Sequence, residues 1–72
     1  MKLNTVNVFE HFGALPQNLH SFKDDKKGNK EAEALFTKLA KENGAVEAHI
    51  PSYIEDGIYE SGDYSVFLIH ST

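Results

Sequence analysis

The sequence predicts an α+β fold: a small antiparallel sheet of three to four strands with one amphipathic helix, residues 29–43, packed on one face. Three observations carry it. Ala32, Leu35, Phe36, Leu39 and Ala40 recur with the spacing of a helix that buries one side. Val46-Glu47-Ala48-His49-Ile50 alternates strictly, as a half-buried strand does. The C-terminal stretch from Gly57 to His70 reads as a β-hairpin and contains Val66-Phe67-Leu68-Ile69, the longest apolar run in the chain. At 72 residues, the chain is expected to be a single small globular domain spanning 1–72.

At the N-terminus, Leu3 to Gly13 admits two readings. As a helix it would have Asn4 as its N-cap, Val6, Phe9 and Phe12 on one face, and Gly13 as its terminator. The β-branched Thr5, Val6 and Val8 tip the reading to a strand over residues 2–9. Pro16 lacks an amide proton and pushes Leu15 to extended geometry, so Gly13-Ala14-Leu15-Pro16 breaks the element before it. Residues 17–22 then read as a connector, with Leu15, Leu19 and Phe22 as core plugs. Phe22 to Asn29 is a polar loop of mixed sign.

The helix follows, with Asn29 as N-cap, Glu31 and Glu33 in its first turns, Lys38 and Lys41 near its end and Gly44 at C′. After the strand at 46–50, which Pro51 ends, Ser52 to Asp56 is irregular. Two turn signals then compete, Asp56-Gly57 and Ser61-Gly62. The second is preferred because it leaves a full strand behind it; it pairs Tyr59 with Tyr64 and Ile58 with Ser65, and makes Asp56-Gly57 a bend or bulge. The expected core is Leu35, Phe36, Leu39, Val46, Ile50, Val66 and Leu68, with Phe9 and Phe12 joining from the N-terminus. The N-terminal strand or the 57–60 arm would form the sheet edges.

Composition narrows the chemistry. There is no Cys, so neither disulfides nor thiolate ligands nor a thiol nucleophile are available. The longest apolar run is four residues and Met1 to Thr5 has no signal-peptide core, so a soluble, cytoplasmic protein without membrane contact is expected. All seven basic residues are Lys, and the net charge is −4, which argues against direct binding of nucleic acid. Residues 1–43 hold every Lys and sum to +1, whereas residues 44–72 hold Glu47, Glu55, Asp56, Glu60 and Asp63 and sum to −5. The hairpin half is the acidic half.

No motif of catalysis or cofactor binding stands out. His11, His20, His49 and His70 have no recognised ligand spacing, so neither a metal nor another cofactor is expected. His49 and His70 both fall on predicted strands. Ser61, Ser65 and Ser71 lack a nucleophile-elbow context, and the five glycines are scattered turn and cap residues, so an enzyme is not expected.

Surface is what remains. In the last strand Val66 and Leu68 point one way while Phe67 and Ile69 point the other, and a single helix covers only one face. Residues 1–22, a second copy or a different partner must cover the other, which makes Phe67 and Ile69 a candidate dimer face. Tyr53, Tyr59 and Tyr64 lie among Glu55, Asp56, Glu60 and Asp63, a combination suited to binding a basic protein surface. These seven residues form the candidate partner site.

Two functions follow as expectations. The first is a small non-enzymatic inhibitor that blocks a basic, nucleic-acid-handling protein surface; the second is a homo-oligomeric structural or assembly module without inhibitory role. A nucleic-acid binder using Lys23, Lys26, Lys27 and Lys30 ranks last, because Asp24 and Asp25 offset their field. In being small, acidic, Cys-free and single-domain, the chain is similar in type to phage inhibitors of host nucleic-acid machinery, including anti-CRISPR and anti-restriction proteins. That likeness rests on no shared motif.

Overall fold

A computed structural model describes residues 4–13 and 15–71. Its element order is β1 (Thr5–Phe12), β2 (Leu15–Lys23), α1 (Lys26–Glu42), a 3₁₀ turn (Glu47–His49), α2 (Ile50–Asp56), β3 (Ile58–Ser61) and β4 (Tyr64–Ser71). The four strands form one antiparallel sheet in the order β2-β1-β4-β3, so the fold is α+β as the sequence predicts. Both helices lie on one face. The shortest extent, 16 Å, is the thickness of one helix layer on one sheet.

β1 is a strand because its β-branched residues alternate: Val6, Val8 and Glu10 turn inward and are buried, while Thr5, Asn7, Phe9 and His11 turn outward. It is a central strand, and the sheet edges are β2 and β3, so the expectation of an N-terminal edge is corrected. The segment read as a connector is β2, hydrogen-bonded along β1 from Thr5–Lys23 to Phe12–Leu15. Between Glu10–Asn18 and Phe12–Leu15 the register shifts, so His11 faces both Pro16 and Gln17. A proline without a donor is tolerated at such a bulge on an edge strand. Of the three predicted core plugs, Phe22 packs on the core and Leu19 is 62% exposed, while the side chain of Leu15 lies outside the described set.

α1 begins three residues earlier than the Asn29 start. Asp25 is the N-cap, and its Oδ1 accepts the Gly28 N–H at 2.7 Å. Asn29 instead ties the first turn down: its Nδ2 donates to Asp24 Oδ1 and to the Asp25 carbonyl, and its Oδ1 meets His70 Nε2 at 2.8 Å. The other end closes as expected around Gly44, at φ 100°, with Gly44 N–H bonded to the Lys41 carbonyl and Ala45 N–H to that of Ala40. The face turned to the sheet is Gly28, Ala32, Phe36 and Ala40, with Leu35 and Leu39 at its flank. Three small residues let the helix sit close, and Phe36 fills the centre.

The strand expected at 46–50 is absent. Val46 is 58% exposed and leaves the expected core, residues 47–49 form a 3₁₀ turn, and Ile50 opens α2. Pro51 sits in the first turn of this helix instead of ending a strand, and Gly57, left-handed at φ 77°, ends it in place of the expected irregular stretch and bulge. The last hairpin turns at Gly62-Asp63, with Ser61 opposite Tyr64 and only Gly62 at positive φ, the signature of a type II′ turn. The preferred turn region is therefore right. Its register moves by two: Tyr59 faces Val66 and Ile58 faces Phe67, corrected from Tyr64 and Ser65.

The core is a single cluster of Val6, Val8, Ala32, Phe36, Ala40, Ile50, Tyr59, Tyr64, Val66 and Leu68 between helices and sheet. Phe12 packs against it from the side. Phe9 does not join it; its ring is on the far face of the sheet, 6.0 Å from that of Phe67.

Candidate interaction surfaces

The side of the sheet away from the helices is built by strand alternation. Its outward residues are Thr5, Asn7, Phe9 and His11 from β1, Leu19, Ser21 and Lys23 from β2, Ile58 and Glu60 from β3, and Ser65, Phe67 and Ile69 from β4. Registration places four of them in one row across all four strands: Leu19, Phe9, Phe67 and Ile58. Ile69 stands beside the row, and it is 45% exposed. Asn7, Phe9, Leu19 and Ile69 line a shallow depression of about 280 Å³. Residues 5–12 and 15–23 do not fold over this face, because they are strands of the sheet itself. Among the described residues no element covers it.

Polar rows bound the apolar one. His11, Ser65 and Glu60 lie on the side of the two hairpin turns, and Ser21 and Asn7, then Lys23 and Thr5, lie on the other. Ser21 Oγ donates to Asn7 Oδ1 at 2.7 Å, which stiffens that border. An apolar centre with a hydrogen-bonding rim is the anatomy of a protein interface.

The second surface is the acidic flank. Glu55 and Asp56 end α2, Glu60 lies on β3, and Asp63 sits in the turn; all four are exposed. Among the described residues Lys41 and Glu47 form an ion pair at 2.9 Å and His20 Nε2 lies 3.8 Å from Glu10 Oε2, and neither contact involves these four. Lys41 holds the Glu47 carboxyl below its ordinary range by hydrogen bond and charge.

The three tyrosines of the candidate partner site separate from these carboxylates. Tyr59 and Tyr64 are 7% and 6% exposed, so neither ring is offered to a partner. Strand alternation carries the reason, since Tyr64 shares the face of Val66 and Leu68, and Tyr59 lies opposite Val66. Tyr59 donates its hydroxyl to the Asn43 carbonyl at 3.1 Å, pinning the end of α1. Tyr53 is half-buried, edge-on to Tyr59 at 4.9 Å and to His49 at 6.5 Å. The same alternation signalled the open face: Phe9 and Leu19 belong to it because they share parity with Asn7 and Ser21.

A polar cluster runs from the core to the surface. Glu10, 6% exposed, accepts the Tyr64 hydroxyl on Oε1 at 2.9 Å and the Asn18 amide on Oε2 at 3.3 Å, with His20 Nε2 beyond. Burial, this hydrogen bond and the Glu10 charge push the Tyr64 phenol well above its ordinary range. Both carboxylate oxygens are used, so the cluster reads as an internal anchor.

The histidines are dispersed: His11 on the open face, His20 beside Glu10, His70 on Asn29, and His49 in the 3₁₀ turn, corrected from a strand. Among the described residues no three His, Asp or Glu side chains converge as metal ligands, and no helix is long and apolar enough to cross a membrane. Compared with protein-family models, curated proteins and solved structures, the chain finds no match in any of the three.

Proposed function

We propose that this protein is a small non-enzymatic binding protein that acts in the cytoplasm by occluding a basic surface of another protein, in the manner of phage anti-CRISPR and anti-restriction inhibitors. One observation carries the reading: Glu55, Asp56, Glu60 and Asp63 stand exposed along the end of α2 and the hairpin that follows it, with no ion pair among the described residues and no Lys anywhere in residues 44–72. Unpaired carboxylates on a rigid scaffold steer a basic partner into register, and their effect is felt most in the association rate. A nucleic-acid groove of a host protein presents the matching surface. The protein then blocks by standing where the phosphates would.

The test is capture from the native host lysate followed by kinetics with the purified partner. The expected partner is basic, associates more slowly as salt rises, and is lost by the variant carrying E55K, D56K, E60K and D63K, with association at low salt slowed at least about tenfold. Capture and salt dependence unchanged in that variant would overturn the proposal.

A further inference from the structure

We infer that the open face of the sheet is the binding site for a second copy of this chain, giving a two-fold dimer with two four-stranded sheets face to face and the helices outside. Charge decides the occupant. Among the described outward residues of this face the formal charges are Lys23 on one edge strand and Glu60 on the other, at opposite ends of the apolar row. The face is therefore neutral in sum, in a molecule whose net charge is −4 and whose residues 44–72 sum to −5. A basic partner is matched to Glu55, Asp56 and Asp63, which lie off this face, and gains only Glu60 from it. A second copy meets it without opposing like charges, because the two-fold can set the Lys23 corner of one copy over the Glu60 corner of the other.

Size and relief agree. Strands of eight, nine, four and eight residues, at about 3.3 Å per residue and about 4.8 Å apart, present roughly 460 Å² per copy, or roughly 900 Å² for the pair. That lies at the small end of specific interfaces, near about 1,000 Å², the range of weak and reversible association. Leu19 and Ile69, 62% and 45% exposed, are the protruding side chains, and the depression of about 280 Å³ between them receives such side chains from the facing copy. The Phe9–Phe67 pair, 6.0 Å apart with rings tilted by 42°, supplies the half-buried centre. Sheets packed in this way interdigitate across about 10 Å.

Sedimentation velocity of the full chain over about 1 to 300 µM tests this. The expected result is a monomer–dimer equilibrium that holds or tightens in 1 M NaCl, since it is apolar contact that closes the face. L19K/I69K changes two exposed residues and is expected to raise the dissociation constant at least tenfold with the circular-dichroism spectrum unchanged, whereas E55K/D56K leaves it alone. Isotope-filtered NOE spectra of mixed labelled and unlabelled wild-type chain give a readout that needs no variant, with contacts between copies expected among Phe9, Leu19, Phe67 and Ile69. A strict monomer at 300 µM, a dimer that dissolves in salt, or contacts confined to the backbone edge of β2 or β3 would each overturn the inference. Glu55, Asp56 and Asp63 of the acidic flank do not lie on this face, so capture through them is read separately from these outcomes.

Discussion

Gly28 occupies a position where the usual preference for alanine in a helix is reversed. A glycine in the third position of α1 ordinarily costs about 1 kcal/mol relative to alanine. A methyl group there would stand 1.7 Å from the Lys23 carbonyl oxygen and 3.2 Å from Asp25 Oδ1, and neither the strand end nor the cap can retreat without breaking the entry to the helix. Gly28→Ala is therefore expected to destabilise the fold by about 2 kcal/mol, in the range of other overpacked sites. Urea denaturation checks it; equal or greater stability would show that the helix start is not pinned. Tyr64 makes a second prediction at this scale. Its folded phenol is lifted above the ordinary value near 10, so the folded chain keeps a proton that the unfolded chain releases. The stability it contributes is complete below about pH 10 and is lost as pH climbs beyond. Tyr64→Phe should lower stability at pH 7, by about 1 to 3 kcal/mol for a hydrogen bond to a buried carboxylate, and flatten the fall between pH 10 and 11. A fall of unchanged steepness in the variant would assign it to other groups.

The elements show what a local pattern reveals and where it misleads. α1 is legible because its apolar stripe and its closing glycine agree, but its start is not: Asn29 and Asp25 are both plausible caps, and the choice depends on the contact of Gly28 with the end of β2, four residues before the apolar stripe begins at Ala32. Val46 to Ile50 alternates by coincidence over five residues, too few to outweigh a competing helical set. That set was present in the same sequence: Ile50, Tyr53 and Ile54 at i, i+3 and i+4, a proline in the first turn and a glycine after the last. β2 was hidden for a different reason. An edge strand with one face open to solvent needs few apolar residues, and Leu15 to Lys23 owes its conformation to pairing with β1, a contact 10 to 18 residues away along much of its length. The acidic flank was legible from charge alone, whereas the apolar row required the register, because Leu19, Phe9, Phe67 and Ile58 come from four separate strands.

Across the whole molecule, the core and the surfaces proposed for binding are separate. The helix-covered face holds the core, including the buried Glu10–Tyr64 anchor, while the acidic flank contributes no ion pair among the described residues. Carboxylates that hold nothing together can only repel one another, and exposed charges of this kind change stability by a few tenths of a kcal/mol. Replacing Glu60 with Gln and Asp63 with Asn together should therefore leave the melting temperature unchanged or raise it slightly. The gain should shrink as ionic strength rises past about 0.1 M, where the Debye length falls to about 10 Å. A dimer would sharpen the contrast, since two copies closed over the open face carry the flank twice and gain avidity for any partner with two basic sites. Thermal melts of the wild type and the E60Q/D63N variant, in low salt and at about 0.5 M, decide the point. A melting temperature that drops by several degrees on neutralisation would mean that these carboxylates serve the fold, and the functional reading of the flank would lose its basis.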